Sequence, residues 1–95
     1  MAEKDFSKLL YSAVMTLKSE EECQHLFEDL CTPKEIKSIA QRFAVAKMLG
    51  EGRIYNDIVD ETGASTATIS RVNRTMSKGS KTVLERLRTN NGRYV

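Results

Sequence analysis

The sequence predicts an all-α fold of about six helices. Two observations predict it. Apolar residues recur at three- and four-residue spacing through most of the chain, as on one face of a helix. Helix-start signals also stand where those stripes begin, at Ser19, Thr32 and Ser65. A third observation bears on purpose: Gly63 separates two short helical segments, and the chain beyond it is strongly basic. No segment reads as a strand.

Phe6, Leu9, Leu10, Ala13, Val14 and Leu17 form the first stripe. Ser19 with Glu22 is a capping box opening a second helix, whose apolar face is Cys23, Leu26, Phe27 and Leu30. Thr32-Pro33-Lys34-Glu35 is a stronger start. Thr32 can cap, Pro33 suits the first helical position, and Glu35 completes the box. That helix should run to about Leu49 and stop at Gly50 and Gly52. Ile36, Ile39, Ala40, Phe43 and Ala46 make its face, and Val45, Met48 and Leu49 widen it. A face that wide implies burial on more than one side. Short helices follow over 54–62 and 65–77. Ser77, Gly79 and Ser80 should break the chain, with Ser80 capping a last helix over 80–89 that carries Val83, Leu84 and Leu87. Residues 90–95 read as a frayed tail. The whole reads as one domain, with residues 1–50 as dimerisation helices and 54–77 as the functional motif.

A chain of 95 residues with 40% hydrophobic and 29% charged content is ordinary for a globular protein, yet small enough that its own core is marginal. Association in a homodimer would add buried apolar area. No apolar run approaches the roughly 20 residues that span a bilayer, and MAEKDFSKLL lacks the apolar core of a signal peptide. Cys23 and Cys31, eight residues apart in a helical segment, would stand roughly 12 Å apart, too far for a disulfide. Free thiols fit a reducing cytoplasm. Two cysteines and His25 make no four-ligand zinc site, so no metal is expected. Nor is an enzyme expected. Ser65 and Ser70 have no neighbouring histidine, and Gly50-Glu51-Gly52 lacks the strand and lysine of a phosphate-binding loop.

The charge is distributed unevenly. Residues 1–31 carry three Lys/Arg against seven Asp/Glu, residues 32–63 five of each, and residues 64–95 seven Lys/Arg against the single acid Glu85. A basic final third is the electrostatic signature of a surface that meets phosphates.

The informative stretch is YNDIVDETGASTATISRVNR, Tyr55 to Arg74. A helix-turn-helix needs two short helices crossing steeply at a turn, and Gly63 can take the positive φ such a turn requires. Ile58, Val59 and Thr62 from the first helix, and Ala64, Ile69 and Val72 from the second, can face inward. Ser65 is a natural N-cap. The remaining face holds Thr66, Ala67, Ser70, Arg71 and Arg74. Small residues at its N-terminal end let the backbone approach base edges in a major groove. There hydroxyls hydrogen-bond bases and methyl groups meet the thymine methyl. Ser65, Thr66, Ala67, Thr68, Ser70, Arg71 and Arg74 are therefore the predicted DNA-binding set, with Arg71 and Arg74 mainly on phosphate. The plainer alternatives are a helical protein-interaction module, or the DNA-targeting head of a recombinase-type system.

LCTPKEIKSIAQRFAVAKML followed by GASTATISRVNR resembles the tryptophan repressor superfamily, and its YerC/YecD-type branch most closely. The resemblance covers roughly residues 6–88. It implies a dimer with intertwined N-terminal helices, two reading heads spaced for successive major grooves, and a transcriptional regulator, most simply a repressor. It further implies an effector pocket between the long helix and the reading helix, where Thr32, Arg42 and Arg71 match the groups that hold tryptophan. Val72 stands where the repressor has glycine beside the indole, and Thr75 replaces a serine. A β-branched valine projects two methyls from a stiff rotamer into that slot. Tryptophan is therefore expected not to be a strong corepressor, and no cofactor is expected. Arg42 and Arg71 would then make structural ion pairs or phosphate contacts. A smaller carboxylate effector is the alternative.

Overall fold

A computed structural model describes residues 4–76 and 78–89. Ser77 and the expected frayed tail at 90–95 lie outside the described residues. The helices are α1 (Ser7–Val14), α2 (Glu20–Leu30), α3 (Pro33–Gly50), α4 (Tyr55–Thr62), α5 (Thr66–Thr75) and α6 (Lys78–Thr89), and no strand occurs among the described residues.

Local chemistry sets most helix ends. Asp5 accepts the Ser7 N–H at 2.8 Å at the start of α1, and its bonds to Ser7 hold its carboxyl below the ordinary value. The helix ends at Val14, short of Leu17, the last residue of its apolar stripe. The N–H groups of Thr16 and Leu17 turn back to the Ala13 and Val14 carbonyls three residues away and close the last turn. Ser19 Oγ accepts the Glu22 N–H at 3.1 Å, while the Glu22 carboxylate reaches the Lys18 N–H rather than that of Ser19. The box at Thr32 is complete. Thr32 Oγ1 accepts the Glu35 N–H at 3.1 Å, and Glu35 Oε1 accepts the Thr32 N–H at 2.8 Å.

Two predicted breaks fall elsewhere. Gly50 is inside α3, and Gly52, at φ 78°, ends the helix. The Gly52 N–H reaches the Leu49 carbonyl and the Arg53 N–H reaches that of Met48, each at 3.0 Å, which is a Schellman closure. Likewise α6 begins at Lys78, so Gly79 and Ser80 lie in its first turn instead of preceding it. A first turn makes few intrahelical N–H bonds, and weak propensities there yield to packing. Leu84 of α6 rests over Gly50, its Cδ1 3.9 Å from where a side-chain carbon on that glycine would stand.

The core lies between residues 45 and 69. Val45 of α3, Ile58 of α4 and Ile69 of α5 are fully buried, with Ala64 beside them. Met48, Leu49, Tyr55, Val59 and Val72 pack around this centre. Full burial of each large aliphatic side chain stabilises by about 1.5–3 kcal/mol. By contrast, Phe6, Leu9, Tyr11 and Met15 of the first helix and its flanks are between 65% and 82% exposed. Leu30, Ile39 and Phe43 are exposed too. Cys23 and Cys31 are half-buried free thiols. No described helix is long and apolar enough to cross a membrane.

Candidate nucleic-acid interface

Three elements position the interface. The C-terminal half of α3 is the platform, α4 lies across it, and α5 packs on both. Gly63, at φ 73°, makes the turn between α4 and α5, and its N–H closes α4 onto the Val59 carbonyl at 2.9 Å. The Thr62 hydroxyl donates to the Ile58 carbonyl at 2.7 Å and accepts the Ala64 N–H at 3.1 Å. Ala64 then buries its methyl, and Ser65 opens α5 by accepting the Thr68 N–H at 3.1 Å. The inward residues predicted for the motif, Ile58, Val59, Thr62, Ala64, Ile69 and Val72, are all buried or half-buried.

Of the predicted DNA-binding set, Thr66, Ala67, Arg71 and Arg74 are exposed, and Ser70 is half-buried beside them. Their spacing along α5 puts them on one face. Ser65 and Thr68 are differently placed. The Ser65 hydroxyl donates to Thr68 Oγ1 at 3.1 Å, so the two hydroxyls engage each other at the helix start. Arg71 and Arg74 enter no ion pair among the described residues, and α5 contains no acid. The acids of the motif sit on α4, where Arg53 lies 4.0 Å from Asp57 and 3.3 Å from Glu61. The motif thus presents a positive, uncommitted face on one helix and a partly compensated acidic one on the other.

Within one chain the five effector-pocket candidates are divided between the start of α3 (Thr32), its middle (Arg42) and α5 (Arg71, Val72 and Thr75). Thr32, which caps α3, and Arg42 within it are ten residues apart, roughly 15 Å along the helix axis. The Thr32 hydroxyl is committed to its cap. Thr75 turns its hydroxyl back to the Arg71 carbonyl at 3.0 Å. Val72 packs against the core. Arg42 is exposed and, like Arg71, makes no ion pair among the described residues, so the expected structural pairs are not found there.

Sequence reading missed two side chains that tie the motif together. Gln41 of α3 donates from Nε2 to the Thr62 carbonyl at 3.0 Å, and Asn73 donates to the Tyr55 hydroxyl at 3.4 Å. One signal for Gln41 was available. It stands four residues before Val45 and seven before Met48, a polar residue on the buried stripe of α3.

Fold and exposed face together define a small all-α protein of the helix-turn-helix class. A family model described as Trp repressor protein matches residues 6–91. The uncharacterized protein YerC of Bacillus subtilis (strain 168) is 56% identical over 70 residues, 74% of this chain and 67% of the relative. A TrpR-like protein from Eubacterium eligens ATCC 27750 superposes with a TM-score of 0.80 at 53% identity, covering 84% of this chain and 86% of that one. A candidate Trp repressor from Staphylococcus aureus gives a TM-score of 0.79 at 42% identity, covering 90% and 96%. The chain belongs to the Trp repressor family, and with it to the DNA-binding regulators rather than to the enzymes.

Proposed function

We propose that the protein is a homodimeric transcriptional repressor that reads a palindromic operator in the cytoplasm with α5 and needs no tryptophan to do so. The observation that carries the reading is the exposed face of α5. It runs from small residues at the capped end, Thr66 and Ala67, to two arginines, Arg71 and Arg74, that make no ion pair among the described residues. Small groups admit the helix end to base edges, and arginines one and two turns on can grip the backbone.

Two further observations support the dimer and the absence of tryptophan. The large apolar side chains of Phe6, Leu9, Tyr11, Leu30 and Ile39 are exposed in the single chain, as expected of surface meant for a second copy. Val72 packs on the core, and it stands where the resemblance to the tryptophan repressor puts a glycine beside the indole.

Electrophoretic shift on sheared genomic fragments at two salt concentrations tests the central claim. A subset of fragments should shift at the higher salt, with the rest bound only at the lower. Uniform loss of every fragment with salt would leave a non-specific binder, and no shift at either would favour a protein-interaction module.

A further inference from the structure

We infer that Gln41 is a positioning residue for the reading helix: from α3 it holds the turn between α4 and α5 and so fixes the angle at which α5 meets DNA. The inference rests on the proposed reading of DNA by α5.

The geometry at the turn is specific. Thr62 is the last residue of α4, and its carbonyl has no partner further along that helix. Gln41 Nε2 supplies one at 3.0 Å from a half-buried position, across 21 residues of sequence. The same nitrogen lies 4.0 Å from where a side-chain carbon on Gly63 would stand, so the amide sits against the turn itself. Thr62 also closes the turn from within, through the Ile58 carbonyl and the Ala64 N–H. The residue that shapes the turn is therefore the residue that α3 grips.

The apolar contacts of the motif do not set an angle in this way. Val45, Ile58 and Ile69 meet as an aliphatic cluster, and such contacts tolerate small rotations because they have no direction. A hydrogen bond does have direction, and its strength falls steeply off axis. Gln41 adds the directional restraint between the platform and the head, and Asn73 to Tyr55 adds a longer one, 3.4 Å, between α5 and α4. No ligand is needed for either bond. A head held this way docks in its working orientation before any effector arrives, which reduces the ordering cost of binding.

The test uses Gln41→Met, of equal length and without a donor, and Gln41→Glu, isosteric and ionised, whose carboxylate would face the Thr62 carbonyl. Both are studied as full chains at a temperature where circular dichroism shows each fully folded. Amide hydrogen exchange is read at Gly63, Ala64 and Thr68. Affinity is read on the tightest duplex that the wild type selects from sheared genomic DNA and on poly(dI-dC). Exchange at the turn should accelerate in both variants, with amides in the middle of α3 unchanged. Affinity for the selected duplex should fall roughly tenfold for Gln41→Met and further for Gln41→Glu, while Gln41→Met binds poly(dI-dC) as the wild type does. Unchanged exchange at the turn would overturn the grip on Thr62. Faster exchange with undiminished affinity for the selected duplex would overturn the positioning role. Equal losses on both DNAs for Gln41→Met would also overturn it, because a misaimed head loses specific docking first. If the wild type selects no duplex, the DNA reading of α5 fails and the positioning role with it, while the exchange rates still report separately on the grip.

Discussion

Thr66 and Arg74 stand at opposite ends of one exposed face, eight residues apart on α5, and their chemistry assigns them different work. A hydroxyl at the helix start can distinguish one base edge from another, whereas an arginine two turns on meets a charge that every sequence carries. Thr66→Val should cost roughly 1–3 kcal/mol on the matched site and relax discrimination at one position. Arg74→Ala should weaken matched and mismatched sites alike and flatten the salt dependence by about one unit of slope. Titrations of both variants on both sites check this division, and equal behaviour of the two would contradict it. Gly63 makes a different kind of prediction. At φ 73° an alanine would be strained whatever the space, and the nearest atom to its new carbon is 4.0 Å away. The cost is thus the backbone's alone, about 1–2 kcal/mol. Thermal melting of Gly63→Ala at fixed protein concentration should fall by roughly 4–8 °C per kcal/mol.

Among the elements, α5 owes its position to α3 more than to its own sequence. Its buried residues, Ile69 and Val72, rest on the platform that carries Val45 and Met48. On the proposed reading, Val72 is the residue that separates this chain from a tryptophan-responsive head. Seating an indole would require moving a packed β-branched side chain, at about 1–3 kcal/mol. That is a loss of roughly 5- to 150-fold in affinity. Calorimetry with tryptophan should accordingly show no micromolar binding, and DNA affinity should be the same with and without it. Micromolar binding with stimulated DNA affinity would mean that Val72 yields and that the pocket forms between chains. The placement of Thr32 far along α3 from Arg42 is compatible with such a pocket only if a second copy brings its own Thr32 to the site.

For the whole molecule, the contrast between a closed helix-turn-helix and an open N-terminal segment decides what to expect. Val45, Ile58 and Ile69 are fully covered, yet Phe6, Leu9 and Met15 are mostly in water. Light scattering at micromolar concentration should therefore return about twice the 10.7 kDa of one chain, with no folded monomer on dilution. Two identical heads related by a two-fold axis need half-sites about one turn apart, roughly 34 Å. Inserting five base pairs between half-sites rotates one head to the far side of the duplex and should abolish tight binding. Undiminished affinity would indicate heads that act independently.

The helices, the turn and the exposed face were legible along the chain. Each is written in local chemistry: the reciprocal cap of Thr32 and Glu35, the left-handed turn at Gly63, the cap at Ser65, and the periodicity that turns Ile58 and Ile69 inward while leaving Thr66, Ala67 and Arg71 outside. Where local signals were ambiguous, boundaries moved, as at Gly50 and Gly79, because packing against a neighbouring helix outweighs a fraction of a kcal/mol of propensity. Thr68 and Thr75 look available in sequence but are engaged locally, with Ser65 three residues before and with the Arg71 carbonyl four residues before. Which polar groups hold the turn depended on packing between helices. Gln41 finds the Thr62 carbonyl across 21 residues. Such a contact depends on where two helices cross, and no spacing along the chain encodes that position.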